Sequence, residues 1–309
     1  MPLGGNGPAY ESADVRDNVY YDGKIAEQAI LKLQELKNIK QPFFFGLGFI
    51  RPHLPFNCPK KYWDLYDEDN IKLTDHSNMP LNAPKEANFY SGELKSYTSF
   101  EKNKEPILDK EAVRLKHGYM ACVSFIDAQI GKVITRLQEL EMYDNTIIVL
   151  WGDHGWSLGE HGHWGKHTNF NNALQVPLLI HAPGFAQGEK SNSLVSLIDL
   201  YPTLCDLSGI ELPVHLQGKS IKGILNNTNQ EINMYMFSKW KKGESVKYND
   251  FLYTEFYHKK TGAYVSNMLY NHKKDPKETV NVVGVQEYNT VVENLKRVLN
   301  NHIKNRSTN

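Results

Sequence analysis

Two long segments of the chain repeat apolar residues at helical spacing. The first is KIAEQAILKLQELKNI, residues 24–39, and the second runs from Lys110 to Met142. The apolar stripes of the two segments consist of Ile25, Ala29, Leu33 and Leu36, and of Val123, Ile126, Ile130, Val133, Leu137 and Leu140. This spacing predicts two amphipathic helices, each with one face against a core.

Short apolar runs alternate with these helices. They are PFFFGLGFI (residues 42–50), TIIVLW (146–151) and VPLLIHAPG (176–184). The segment SLVSLIDLYPTLCDLSGI (193–210) looks helical at both ends, with Pro202 in a first turn or at a kink. Continuously apolar strands between amphipathic helices predict an α/β fold, with a mostly parallel sheet covered by helices on both faces.

The pattern changes beyond about residue 223. FLYTEFY and AYVSNMLYN, joined by HKKTG, predict paired antiparallel strands, and residues 287–303 predict a final amphipathic helix. We therefore expect two parts: residues 1–225 as the α/β part, and residues 226–309 as a smaller α+β subdomain.

The charge balance and the cysteine content argue against several classes of binding partner and structural framework. The 309 residues include 35 basic and 35 acidic ones, so no overall field attracts nucleic acid or an anionic membrane. The three cysteines, Cys58, Cys122 and Cys205, are far apart and form no CxxC pair, which favours buried thiols over a zinc or disulfide framework. No apolar run is long enough for a transmembrane segment, and no signal peptide is visible.

The candidate chemistry is concentrated in LWGDHGWSLGEHGHWGKHTNF, residues 150–170. Asp153 and His154 directly follow an apolar strand, where ligands gather in α/β sheets. The pair is suited to binding a metal, to general-base catalysis or to a structural hydrogen bond. Lys166 is suited to a tetrahedral oxyanion or a leaving oxygen, although a lysine without such context is usually a solvated surface residue.

A second candidate is GFIRPHLPFNCPKKYWDLYD, residues 48–67. Its prolines restrict the backbone, so His53 would be presented in a fixed position and could donate to an anion. A histidine between prolines is also common as a packing residue.

Five segments together resemble the iduronate-2-sulfatase branch of the formylglycine-dependent sulfatases, within the alkaline phosphatase superfamily. They are GFIRPHLPFNCPKKYWDLYD, DNTIIVLWGDHGWSLGEHGHWGKHTNF, VPLLIHAPG, SLIDLYPTLCDLSGI and MLYNHKKDPKETVNV, in this order. The resemblance implies hydrolysis of sulfate esters, with a sulfated, uronic-acid-bearing carbohydrate as the substrate class.

The same resemblance implies roles for single residues. Asp153 and His154 resemble two calcium ligands of the family, and Lys166 resembles the lysine that contacts the sulfate ester. His53 resembles the histidine that reaches the sulfate and is a candidate acid for the leaving alcohol. The resemblance also places His161 and Trp164 near the substrate.

Two features of the family are missing from the sequence. There is no pair of adjacent aspartates on a first core strand, and none of the three cysteines lies in the C/S-x-P-S/A-R motif that yields formylglycine. We therefore expect a partial Ca²⁺ site, and a chain that matches the carboxyl-terminal portion of a sulfatase and is inactive by itself. A truncated gene, a split gene whose other half is the partner, and a decayed reading frame would each explain this.

Two other functions fit the same residues. One is a non-catalytic remnant that binds glycans or a partner, and the other is a phosphate or phosphonate ester hydrolase of the same superfamily. The family resemblance suggests a secreted, periplasmic or lysosomal protein.

Overall fold

The computed structural model describes residues 7–39, 41–98, 100 and 107–306. The strands in these ranges are β1 (Tyr10–Ala13), β2 (Phe56–Pro59), β3 (Ile148–Trp151), β4 (Ser157–Leu158), β5 (Trp164–Gly165), β6 (Leu178–His181), β7 (Met236–Trp240), β8 (Gly243–Tyr248), β9 (Phe251–Tyr257) and β10 (Tyr264–Asn271). The α-helices there are α1 (Tyr21–Asn38), α2 (Lys60–Trp63), α3 (Asp109–Glu139), α4 (Asn171–Leu174), α5 (Leu200–Leu207), α6 (Lys222–Asn226) and α7 (Asn289–Arg306). None of these helices is long and apolar enough to cross a membrane.

The chain forms two compact units that interleave in sequence. Unit 1 comprises Met1–Ser77, Tyr90–Thr146 and Leu158–Gly165, and unit 2 comprises Asn78–Phe89, Ile147–Ser157 and Lys166–Asn309. The division into domains after residue 225 stays a prediction.

Unit 1 contains the two long predicted helices. Both are confirmed, since α1 covers nearly all of residues 24–39 and α3 ends three residues before Met142. α3 packs against α1 and β2, and β2 pairs with β1 in parallel. Neither of these two strands was predicted. The buried apolar residues of the two helices are Ala26, Ala29, Leu33, Ala112, Leu115, Ala121, Cys122, Phe125, Val133 and Leu137. The predicted stripe residue Val123 is instead 44% exposed.

A buried carboxylate ties three elements of unit 1 together. Oδ1 of Asp17 forms an ion pair with Lys61 at 2.7 Å, and Oδ2 accepts from Lys132 and Tyr62 at 2.6 and 2.9 Å. The side-chain amide of Gln129 donates to the same Oδ2 at 3.2 Å. The network links the start of α1 to α2 and α3.

The predicted buried strand at residues 42–50 is wrong. These residues have no strand assignment, and Phe43, Phe44 and Ile50 are 38%, 86% and 49% exposed. A strand needs a neighbour for its backbone hydrogen bonds, and none of the strands in the described ranges pairs with this segment. The amide of Ile50 donates instead to the Asp22 carboxylate at 2.6 Å.

Unit 2 contains the strand that leads to the histidine-rich loop. β3 and β6 match the two predicted apolar runs, and they pair antiparallel rather than parallel. α5 starts at Leu200, so Pro202 lies in a first helical turn, where its missing N–H costs little.

The carboxyl-terminal part of unit 2 is a four-stranded antiparallel sheet with the order β10-β9-β8-β7. β9, β10 and α7 confirm the predicted strands and final helix, whereas β7 and β8 were not predicted. α7 covers one face of the sheet, with a core of Val246, Tyr253, Leu269, Tyr288, Leu295 and Leu299. The chain thus mixes helices and strands, as the predicted α/β class requires.

Candidate functional site

Asp153 and His154 lie just beyond β3 in unit 2. The amide of His154 donates to Oδ1 of Asp153 at 3.0 Å, and Nδ1 of His154 lies 2.9 Å from the carbonyl of Gly155. Because a carbonyl only accepts, Nδ1 carries the proton and Nε2 is left facing the carboxylate. Nε2 and Oδ2 are 3.5 Å apart, so a proton or a cation between them would bind both atoms.

Gly155 fixes the turn that presents this pair. A Cβ added at position 155 would lie 1.9 Å from the carbonyl oxygen of Asn172. Only glycine allows such a close backbone approach. The turn after β3 is therefore packed directly against the start of α4.

The two donors fit part of a calcium site. Asp153 is 84% exposed and His154 32%, so both can reach a ligand. Calcium takes about six to eight oxygen ligands, and the described residues contain no cluster of three or more His, Cys, Asp or Glu side chains arranged for a metal. Within the described ranges, Asp153 and His154 are thus two candidate ligands for a cation.

Lys166 lies in the same unit as this pair. Its ammonium group is 5.5 Å from the ring centroid of Trp156, within the range of a cation–π interaction. The indole therefore restricts the position of the lysine. Trp156 is the last residue of the GDHGW segment, residues 152–156. Its contact with Lys166 was not predicted.

The residues that follow Lys166 are bound to the carboxyl-terminal sheet of unit 2. His167 stacks on Trp240, with ring centroids 4.5 Å apart and planes 16° from parallel. Asn169 donates to the carbonyl of Gly243 at 3.2 Å and to Oγ of Ser245 at 3.1 Å. These contacts hold the backbone on the carboxyl side of the lysine.

The anchoring continues for two more residues. Phe170 is fully buried against Tyr270, with ring centroids 5.8 Å apart. The amide of Asn171, the first residue of α4, donates to the buried carboxylate of Glu278 at 2.9 Å. The segment 166–171 is therefore positioned by the sheet rather than by its own local structure.

His53 belongs to unit 1. Its Nδ1 is 2.7 Å from the carbonyl of Leu54, and its Nε2 is 3.3 Å from the carboxylate of Glu93. Arg51 donates to the carbonyls of His53 and Asn57 at 3.0 and 3.1 Å, which fixes the backbone around the ring. Both ring nitrogens thus face acceptors, and His53 is arranged as a donor. Glu93 lies in a polar, irregular stretch of the sequence, from about Asp67 to Pro106, so no sequence signal indicated this contact.

His161 and Trp164 are also in unit 1, and both are buried, at 2% and 7% exposure. His161 has a φ of 55°, a conformation that is costly for a residue with a side chain, and its amide donates to the carbonyl of His76 at 2.9 Å. The amide of Trp164 donates to Oγ of Ser91 at 2.9 Å. Burial lowers the pKa of the neighbouring His163 to about 4, so His163 is neutral at pH 7.

Comparison with known families adds an independent finding. A family model of sulfatases matches residues 4–210, which is more than half of the chain. The chain belongs to the sulfatase family. A second model, for the carboxyl-terminal region of N-sulphoglucosamine sulphohydrolase, matches residues 159–305 of this sulfatase-family chain.

Curated relatives and solved structures agree with this family. A sulfatase of Formosa agariphila is 32% identical over 264 residues, which are 85% of this chain and 50% of that protein. Iduronate 2-sulfatase of Homo sapiens is 32% identical over 230 residues, which are 65% of this chain and 42% of that protein. The phosphonate monoester hydrolase of Silicibacter pomeroyi superposes with a TM-score of 0.79 at 26% identity, covering 96% of this chain and 61% of that one.

These similarities confirm the predicted family and α/β class. The chain spans about half the length of the curated relatives it matches. Sulfatases are generally metal-dependent enzymes, and the roles of single residues here remain predictions.

Proposed function

We propose that this chain supplies the sulfate-contacting groups and part of the metal site of a sulfuric ester hydrolase that acts on sulfated carbohydrate. The observation that carries the proposal is the position of Lys166. Its ammonium is held against Trp156 in the unit that also presents the Asp153 and His154 pair. A cation held in the same unit as two candidate metal-binding side chains suits the anionic oxygens of a sulfate ester.

Lys166 and His53 have different roles in this proposal. Lys166 neutralises the charge on the sulfate group and on the bridging oxygen as its bond to sulfur breaks. His53 donates a proton from Nε2 to the leaving alcohol, because its Nδ1 is engaged with the Leu54 carbonyl. Glu93, which faces Nε2 at 3.3 Å, holds the ring in the orientation of a donor.

Asp153 and His154 would hold Ca²⁺ in this proposal. The bound ion would supply positive charge that draws electron density from the sulfate group. The exposed carboxylate of Asp153 and the Nε2 of His154 converge, which supports their use as two ligands. The remaining ligands come from outside the described residues.

In this proposal His161 and Trp164 contribute to substrate binding, as the family resemblance implies. Both side chains are buried, and the backbone of His161 has a φ of 55°, which supports a rigid loop in unit 1.

We propose that a further polypeptide segment contributes the nucleophile. No cysteine of the chain lies in a formylglycine motif, and Cys58, Cys122 and Cys205 are all buried. The strand-like segment 42–50 exposes aromatic side chains, as expected for a sequence that pairs with another strand. A split gene product would provide such a segment.

A complementation assay tests this function. The chain is mixed with the amino-terminal portion of the Formosa agariphila sulfatase, expressed with a formylglycine-generating enzyme, and hydrolysis of an aryl sulfate is followed. We expect no turnover by the chain alone and turnover by the mixture, which Lys166→Ala removes. Turnover by the chain alone would contradict an external nucleophile, and a mixture in which Lys166→Ala changes nothing would contradict the site.

A second candidate function is the hydrolysis of a phosphonate monoester. It is favoured by the 0.79 TM-score with the Silicibacter pomeroyi enzyme at 26% identity. Both esters present a tetrahedral oxyanion to the same lysine. Turnover of an aryl phosphonate in the mixture without turnover of the aryl sulfate would favour this candidate.

A further inference from the structure

The loop between β7 and β8 is attached on both sides to the segment that carries Lys166. Trp240, the last residue of β7, stacks on His167 at 4.5 Å. Gly243, the first residue of β8, accepts from Asn169 at 3.2 Å. A Cβ at position 243 would lie 2.3 Å from Oδ1 of Asn169, so glycine is needed for this approach. The loop is therefore held against residues 167–169, which directly follow Lys166 in the chain.

The loop itself consists of Lys241 and Lys242, because Trp240 pairs with Gly243. Lys241 has a φ of 49°, a conformation for which two-residue hairpins prefer asparagine or glycine. Both lysine side chains are exposed. The geometry of the turn therefore does not favour lysine at these two positions. A residue with a side chain in such a strained conformation points to a functional constraint.

The hairpin concentrates positive charge in a chain with no net charge. The acidic neighbour Glu244 is buried and is bound by Lys239 at 2.6 Å and by Arg306 at 2.9 Å. Among the residues that the structure describes, neither Lys241 nor Lys242 forms an ion pair. The ammonium of Lys241 lies 5.5 Å from the Trp240 ring. Their charges are thus available to an anionic ligand.

We propose that the basic hairpin, residues 239–243, binds a second anionic group of an acidic oligosaccharide whose sulfate ester contacts Lys166. The oligosaccharide carries sulfate groups on at least two sugars. The identity of the group at Lys166 rests on the proposed function, whereas the hairpin binding can be measured without catalysis. Trp240 connects the two parts of this proposal, because its ring contacts both His167, the residue after Lys166, and the ammonium of Lys241.

The test measures binding of a heparin-derived hexasaccharide to the full chain by calorimetry, with a chemically desulfated hexasaccharide as the comparison. The test variant combines Lys241→Gly with Lys242→Asn, which removes both charges and places glycine at the loop residue with positive φ. We expect its affinity to fall by about five- to tenfold, while its Tm stays equal to or above that of the parent chain. The expected weakening shrinks as salt is raised, because exposed charges are screened.

The matched control combines Lys273→Gln with Lys274→Gln. These two exposed lysines follow the end of β10, at the end of the same sheet opposite to the basic hairpin. We expect the control to bind like the parent chain. Equal weakening in both variants, no weakening in the test variant, or equal affinity for the desulfated hexasaccharide would each overturn the proposal.

Failure of this proposal is distinguishable from failure of the proposed function. Aryl sulfate turnover in the complemented enzyme reports on Lys166 and His53, whereas hexasaccharide affinity reports on the hairpin. If the complemented enzyme hydrolyses aryl sulfate but the test variant binds the hexasaccharide like the parent chain, the hairpin subsite is refuted and the sulfatase assignment is still supported.

Discussion

The imidazole of His167 stacks on the indole of Trp240, with ring centroids 4.5 Å apart and planes 16° from parallel. This contact joins the residue after Lys166 to β7 of the carboxyl-terminal sheet. Because Asn169 is also bound to that sheet, the position of Lys166 depends on residues more than seventy positions later in the chain.

Trp240→Ala removes the aromatic partner of His167. We expect the free energy of unfolding to fall by about 1–3 kcal/mol, because the half-buried indole loses both area and ring stacking. Urea unfolding followed by circular dichroism measures this change. Trp240→Phe keeps a ring for His167, so we expect it to lose less than half as much; an equal loss in both variants would contradict the importance of ring stacking.

Lys166→Ala and His53→Ala each remove a group that meets developing charge in the proposed reaction. In the complemented enzyme we expect each to lower aryl sulfate turnover by at least about a hundredfold. Steady-state kinetics provides the measurement, and Lys190→Ala, which changes an exposed lysine, should behave like the parent. Near-normal turnover in both site variants would refute the two assignments.

Calcium binding by the chain alone should be weak. Two converging ligands leave most of the coordination shell to water, so we expect a Kd above about 0.1 mM. Asp153→Asn should weaken binding further, because it removes the carboxylate charge. Calorimetric titration with CaCl₂ checks both expectations, and micromolar affinity in the isolated chain would show that further ligands are present in it.

The ionised carboxylate of Asp17 makes the stability of unit 1 depend on pH. Burial raises the pKa of this carboxyl, but hydrogen bonds from Lys132, Lys61, Tyr62 and Gln129 outweigh burial and lower the pKa from 3.8 to about 2. The resulting stabilisation, about 2 kcal/mol, is fully present above about pH 4 and is lost as the pH falls towards 2.

Asp17→Asn should therefore lower the free energy of unfolding by about 2 kcal/mol at pH 7, and the difference should shrink in acid. Urea unfolding at several pH values measures it. Asp64→Asn provides the control, since Asp64 pairs with Lys60 at the surface and should change stability by less than about 1 kcal/mol. A difference between Asp17→Asn and the parent that does not depend on pH would contradict the assigned network.

Elements with a strong local period were predictable from the sequence. The apolar stripes of α1 and α3, the aromatic-rich segments of β9 and β10, and the β-branched run of β3 are all local patterns of the sequence. The apolar run that precedes them likewise predicted that Asp153 and His154 lie just beyond β3. The sulfatase motif between residues 150 and 170 then indicated the family, which the family model confirms.

Contacts between distant residues were not predictable in this way. Glu93 reaches His53 from a stretch without periodicity, and Trp240 reaches His167 from a strand that the pattern did not reveal. Residues 42–50 have a strand-like composition, yet their backbone has no strand neighbour within the described ranges.

The sequence by itself indicated the longer helices α1, α3, α5 and α7, most of the apolar strands, the family and the candidate groups Asp153, His154, Lys166 and His53. The tertiary structure decided which of these groups are exposed, which residues hold them, and which strands pair. The physical reason is the separation in sequence between the residues that interact. Helical and strand periodicity are properties of neighbouring residues, whereas sheet pairing, ring stacking and charge compensation depend on side chains that only folding brings together.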